Sequence, residues 1–274
     1  MIVASTSPIE IPVRRQIAFD FSRTPAVHHA GNPYVSHYWN TLSILGPSVE
    51  RPVIKALRRA LGDVHDERLG RDVQAFLAQE GLHTHHHRRF NDHLATLGYD
   101  LSRVVARVDA ALDEYLEPLE LKAMLATTIA GEHVIYELAR PLVQDPRILA
   151  DMDPEVRRLF VWHALEEMEH QSVAGDVYRH LFGKSVPWNE RAEAFYAAAR
   201  LLLRTSREIY SALLMREPER TRADRVDAWR FMLLSPGYAR RVGARLPRFL
   251  LPSFRHWGGR EDDIVLIASA AARL

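Results

Sequence analysis

The chain has no cysteine among its 274 residues. That excludes disulfides, thiolate zinc sites and iron–sulfur clusters held by the protein itself, and leaves histidine and carboxylate as the available metal ligands. Charge of one sign is also lacking, since the formal net charge is +1. Nothing in that balance calls for a polyanionic partner, so nucleic acid is not expected. No run of about 18 apolar residues occurs, which argues against a membrane-spanning helix. The first fifteen residues carry Pro8, Glu10 and Pro12 and no continuous apolar segment after a basic start, so no signal peptide is expected and the cytoplasm is the default location. Strand patterning is scarce as well, limited to a short alternation at Ile9 to Val13, and this points to an all-α class.

Helical periodicity with 47% hydrophobic residues is what the chain does have. Residues 1–33, broken by four prolines, read as an extended arm. Residues 34–274 read as a single helical domain: a bundle over about 34–182 and a helical extension over 188–274. A first helix is expected from Tyr34, interrupted at Gly46-Pro47, with Ser48 as a possible N-cap before Glu50. The next runs from Asp66 to about Leu97, stopped by Gly98. Leu101 to Gln144 gives one or two helices interrupted at Glu117-Pro118. A continuous helix is expected from about Glu155 to Phe182, ended by Gly183. Three more follow, over Asn189–Met215, Arg222–Leu234 and Asp262–Leu274.

The pattern carrying chemistry is His163-Ala-Leu-Glu-Glu-Met-Glu-His170. At about 100° per residue, His163, Glu167 and His170 fall on one face. Two imidazoles and a carboxylate turned into a bundle are costly to bury unless something binds them. A second Glu-x-x-His, Glu80 with His83, lies on another helix, and Glu50 and Glu132 are lone carboxylates on two more. Two Glu-x-x-His helices and two helices giving one Glu each match the ligand arithmetic of ferritin-like di-iron or di-manganese bundles. The expected ligands are therefore Glu50, Glu80, His83, Glu132, His163, Glu167 and His170, around two iron ions or manganese in their place. His-Glu-x-x-His, the helical zinc hydrolase signature, is absent.

Other residues receive expected roles from their angles. His87 shares the Glu80 face and is expected outside the ligand set, with an eighth-ligand role as the alternative. His85 and His86 are expected to be solvated, and His133 to be a surface residue or an outer partner. Glu166 is a reserve ligand, and Glu169 a surface or ion-pair residue. Asp176 is the preferred hydrogen-bond partner for a bound imidazole, ahead of Asn91 and Asp92. Thr128, one turn before Glu132, is expected either to contact a bound oxygen species or to bond back to its own helix.

The strings Gln79-Glu-x-x-His83-x-x-x-His87-x-x-x-Asn91, Glu132-His133 and Trp162-His-x-x-Glu-Glu-x-Glu-His170, followed by Val173-Ala-x-Asp176, resemble the bacterial family called predicted metal-dependent hydrolases. That resemblance covers about residues 34–182, and Phe254-Arg-His-Trp257 with Glu261-Asp-Asp is similar to the family's tail. The ligand pattern also resembles the p-aminobenzoate N-oxygenase group of ferritin-like di-iron enzymes. An extra histidine four residues before the last Glu-x-x-His marks that group, and His163 stands there. By that resemblance all seven residues become ligands.

Three functions are compared. The leading expectation is a di-iron oxygenase that uses dioxygen to oxidise a small organic substrate by N-oxygenation or hydroxylation. The alternatives are a metal-dependent hydrolase and ferroxidase-type iron handling. The partners expected are a small-molecule substrate, dioxygen and an electron donor the sequence does not identify, with a homodimer compatible. The basic, apolar stretch Arg230–Trp257 is compatible with peripheral membrane contact, although covering the bundle is the commoner use of such residues.

Overall fold

The structure, a computed structural model, describes residue 6 and residues 10–14, 17–252, 254 and 261–271. Ile9, Arg255, His256, Trp257 and the last three residues of the expected C-terminal helix lie outside them. The described residues form an all-α protein, as the periodicity implied. Its α-helices are α1 (Pro33–Leu61), α2 (Glu67–Thr96), α3 (Ser102–Leu116), α4 (Leu121–Gln144), α5 (Pro154–Glu169), α6 (Val173–Phe182), α7 (Trp188–Leu214), α8 (Arg222–Leu233), α9 (Tyr238–Gly243) and α10 (Glu261–Ala271). No helix among the described residues is long and apolar enough to cross a membrane.

Local chemistry sets most of the ends. The side chains of Asn32, Asp66 and Asp153 accept hydrogen bonds from the first-turn amides of α1, α2 and α5, satisfying donors a helix start leaves orphaned. Gly98 and Gly183, at φ 95° and 69°, stop α2 and α6 in a conformation that favours glycine.

Two helix boundaries differ from expectation. α1 runs unbroken through Gly46, Pro47 and Pro52. Pro47 lacks the N–H that would bond to the Ser43 carbonyl. The Asn91 amide of α2 donates to that carbonyl instead, at 3.1 Å. Ser48 is therefore an interior residue and no cap. The expected helix over 155–182 is two, separated at His170–Ser172, where His170 N–H bonds to Glu167 O and Val173 N–H to His170 O in tight three-residue steps.

α1 and α2 are antiparallel, since Ser43 meets Asn91 while Glu50, further along α1, meets the earlier Thr84. With α4 and the α5–α6 pair they make the four-helix body, and α7 packs against α1 and α4. The apolar core falls into two clusters. Trp39, Phe90 and Trp162 belong to one and Leu57, Phe76 and Tyr178 to the other. Each fully buried large side chain contributes roughly 2–3 kcal/mol against solvent exposure. On α1 and α2 the expected ligands sit at the boundary between the clusters: Glu50 between Leu45 and Val53, Glu80 between Phe76 and Phe90.

The residues before α1 are non-helical where described and lie on the body, with Phe19 and Phe21 buried and His29 bridging to Met152. At the other end, the basic segment covers the bundle. Phe249 is fully buried, Arg245 pairs with Glu137 at 2.6 Å, and Arg241 pairs with Asp145 at 2.9 Å.

Candidate metal centre

All seven residues expected as ligands converge on one buried chamber. Three groupings bring possible ligand atoms within 4.8 Å of one another: Glu50 with His83 and His163, Glu80 with His83 and Glu167, and Glu132 with Glu167 and His170. Their members overlap, so the groupings form a single cluster. Two carboxylates span it. Glu167 turns Oε1 toward His163 Nε2 (2.9 Å) and His83 Nδ1 (3.3 Å), and Oε2 toward His170 Nδ1 (3.6 Å). Glu80 turns Oε1 toward His170 Nδ1 (3.1 Å) and Oε2 toward His83 Nδ1 (3.8 Å). Glu132 Oε2 lies 3.9 Å from His170 Nδ1. Glu50 accepts a hydrogen bond from Thr84 Oγ1 at 2.6 Å, and its other oxygen has no partner. Gly46 lies against it, since a Cβ there would be in van der Waals contact, 3.4 Å from Glu50 Oε1. Gly46 thus lines the chamber wall, and the helix continues unbroken through Pro47.

The hydrogen-bond network fixes which nitrogen of each imidazole faces inward. His83 Nε2 lies 3.0 Å from Glu166 Oε2, an acceptor, so it carries the hydrogen and Nδ1 points bare into the chamber. His170 Nε2 donates to Gln79 Oε1 at 2.7 Å, because Gln79 spends its amide hydrogens on Pro12 O and Glu169 Oε2. For His163 the chain is longer. Ser43 Oγ donates to Asn91 Oδ1, so it accepts from His87 Nδ1; His87 Nε2 then accepts from His163 Nδ1 at 2.6 Å. His163 Nε2 is left facing Glu167.

Among the described residues, His83 Nδ1, His170 Nδ1, Glu50 Oε1, Glu80 Oε2 and Glu167 Oε2 are buried side-chain atoms without a hydrogen-bond partner. Leaving that many polar atoms unsatisfied in one chamber is expensive. A cation coordinated by them removes the cost, and a set of carboxylate oxygens and imidazole nitrogens suits iron, manganese or zinc.

Without a cation, protons take its place. Burial disfavours charge on every member. At Glu132 burial, with the charges of Glu167 and Glu80, holds the carboxyl well above the usual range, and at Glu50 burial and Glu80 push it up to about 8. Burial is outweighed elsewhere. His170, His163 and His83 hold Glu167 well below its ordinary value, and Glu166, Glu167 and Glu80 hold His83 well above its own. His170 is raised to about 10 against burial, chiefly by Glu167. Burial and the charge of His83 keep His163 low.

Around the cluster several expected roles change. Asp176 does not touch an imidazole; it accepts from Thr6 N at 2.6 Å and Thr6 Oγ1 at 2.8 Å, and pairs with Arg179. Gln79 holds that place at His170. The break before α6 puts Asp176 on a different helix from His170, which removes the relation a continuous helix would give them. Glu166 is the outer partner of His83 and also accepts from Trp162 Nε1. Glu169 is buried, ion-paired and away from the surface. His86 is buried against Phe19 and Trp162 and His133 against Phe249, so neither is at the surface. His85 is exposed, as expected. Thr128 lines an apolar cavity with Val49 and Leu202, distinct from the one that Glu50, His163 and Glu167 face.

Arg14 was not among the residues picked out from sequence. It joins Glu166 at 3.1 Å and Glu169 at 2.6 Å. One arginine of the N-terminal arm therefore anchors the outer partners of both His83 and, through Gln79, His170. A lone basic residue in a proline-broken arm carries no periodic signal that could reveal this.

Beside the cluster lies a cavity of about 140 Å³, bounded by Glu50, His87, His163 and Glu167 on one side. Its other walls are apolar apart from Ser206 and Tyr238, and include Leu45, Val134, Leu138 and Phe160.

A helical bundle whose interior gathers four carboxylates and three inward-facing imidazoles belongs to the class of metal-centre proteins. The family follows from the sequence: residues 13–258 match the family described as predicted metal-dependent hydrolase, and the chain belongs to it. No curated protein and no solved structure matches the chain.

Proposed function

We propose that the cluster binds two cations and that the protein is an oxidative enzyme acting on a small, largely apolar substrate with dioxygen. The observation that carries the two-ion reading is the span of Glu80 and Glu167, each with one oxygen toward His83 and the other toward His170. Glu50, His83 and His163 would hold one ion, Glu132 and His170 the other, with Glu80 and Glu167 shared. Four carboxylates balance the charge of two divalent ions. Iron, or manganese in its place, would supply electrons to dioxygen. Oxygenation then puts one oxygen atom into the substrate and reduces the other to water, with two electrons and two protons from an external donor.

The chain's own residues serve that chemistry by position. Glu166, Gln79 and His87 lock the three imidazoles in the tautomer that faces inward. The apolar walls exclude water and suit a substrate with little polarity. Among the lining residues no lysine or arginine is available to bind a phosphate or stabilise an oxyanion.

Metal-dependent hydrolysis is the second reading, and the family description favours it. Here the ions would act as Lewis acids and activate water. The test is to load the protein with ferrous ion or manganese, measure metal per chain, and follow oxygen consumption with a reductant against anaerobic cleavage of an ester and phosphoester panel. Oxygen uptake above free-metal controls supports oxidation. Cleavage without oxygen supports hydrolysis and overturns the first reading.

A further inference from the structure

We infer that the ligand is an aliphatic carboxylate, entering tail first with its carboxylate held by Arg200 and Arg204 of α7. This rests on the reading above only in placing the reacting end of the ligand beside the metal cluster.

The cavity at the cluster does not end at its own walls. Val49, Ile135 and Leu202 line both it and the second apolar cavity, of about 60 Å³. Tyr115 and Leu201 in turn line both that second cavity and an open cleft of about 540 Å³. The three spaces therefore share walls in series, from Glu50 and His163 to the surface between α3 and α7. Along α4 the residues lining the two inner cavities extend from Met124 to Leu142, with Ile135 common to both. A row of neighbouring, largely apolar spaces suits an elongated chain better than a compact polar molecule.

The outer cleft is where charge appears. Arg200 and Arg204 line it, one turn apart on α7, with Leu201 between them. Both are exposed, and neither makes a hydrogen bond or ion pair among the described residues. Glu114 is the one carboxylate lining the cleft, so two guanidinium groups face a single opposing charge. Two unpaired arginines at helical spacing can grip a carboxylate with paired N–H donors. A ligand with an anionic head and an apolar tail satisfies both ends at once. A neutral hydrocarbon leaves the arginines unused, and a dicarboxylate would bury a charge in the inner cavities.

The test measures binding of decanoate, 1-decanol and decanedioate to the full-length protein by calorimetry, with and without added metal. Decanoate is expected to bind at least tenfold more tightly than either comparison probe. The double substitution R200E/R204E, at exposed positions that leave the core intact, should weaken decanoate at least tenfold and leave decanol unchanged. L202W, at the wall common to both inner cavities, should weaken both. Failure of decanoate to bind, equal affinity for decanol, or indifference to the charge reversal would each overturn the inference. Because binding is read without turnover and metal content separately, decanoate binding to a chain that takes up no metal would defeat the metal reading while leaving this one standing.

Discussion

The protein buries two histidine-rich polar networks, and they are built to opposite rules. In the first, at the arm and the start of α1, His37 has both nitrogens engaged: Nδ1 accepts from Asn40 and Nε2 pairs with Glu217 at 2.9 Å. Asn40 is filled too, accepting from His28 and donating to Ala26 O, and Tyr99 donates to Glu217. In the second, between the two apolar clusters, His83 and His170 use their outer nitrogens as donors and leave the inner ones without partners, facing carboxylate oxygens of which several are also unpaired. The first network is complete at His37 and Asn40, and His28 Nδ1 is its one buried ring nitrogen without a partner among the described residues. The second leaves unpartnered atoms on both its imidazoles and its carboxylates, the donor set a cation would take. The contrast separates a structural use of buried histidine from a ligating one by counting partners, where residue type alone does not.

Substitutions should separate the networks, and the largest effect belongs to the second. Glu167→Gln removes an oxygen shared between both sides of the cluster, so metal affinity should fall by more than the ~100-fold typical of an outer partner. Glu132→Gln should likewise lose metal, yet leave the metal-free protein as stable or more so. Burial and the charges of Glu167 and Glu80 already disfavour a charge on its carboxyl in that state, so a neutral amide of the same shape removes nothing the metal-free protein relies on. Metal titration and thermal melting on one sample check both halves. A drop in metal-free melting temperature equal to that of a core variant would erase the contrast.

Asn40→Ala in the first network should do the reverse. It strands His28 Nε2, His37 Nδ1 and Ala26 O, at a cost of about 3 kcal/mol. Metal affinity should not move. Denaturant melts with a parallel metal titration read this directly.

Arg14→Gln tests the anchor joining the arm to the cluster. With Glu166 and Glu169 released, His83 and His170 lose orientation, and affinity should fall about ten- to a hundredfold. Arg14→Lys should recover part of it, whereas no change would make the arm a mere cover.

The smallest effect is with pH. Burial lowers His28 and His29 from 6.5 to about 4. The unfolded chain binds protons these sites refuse, so their contribution is complete above about pH 6.5 and is lost as pH falls toward 4. Between about pH 7 and about pH 5.5 the loss should be about 1 kcal/mol for each imidazole. Melting of the metal-free protein across that range measures it; a flat profile would show that these imidazoles are solvated.

How far the sequence revealed this depends on distance along the chain. Glu80 with His83, and His163 with Glu167 and His170, lie within one or two helical turns, and their shared faces were readable from spacing. Glu50 and Glu132 were found by the arithmetic of a bundle, and the chamber gathers them. What was hidden came from partners far away in sequence. The continuity of α1 at Pro47 depends on Asn91, 44 residues on. The orientation of His170 depends on Gln79 of another helix, so the nearby Asp176 was a natural and mistaken choice. The interruption at His170–Ser172 has no proline and no left-handed glycine to announce it. His86 was expected to be solvated and His133 to be a surface residue or an outer partner, but α5, the arm and the C-terminal segment cover them.

The most direct test is anomalous scattering at the iron and manganese edges from crystals of metal-loaded protein. Two peaks per chain are predicted, both within reach of Glu80 and Glu167, one beside His83 and His163 and the other beside His170. A single peak, or none in that chamber, would contradict the account.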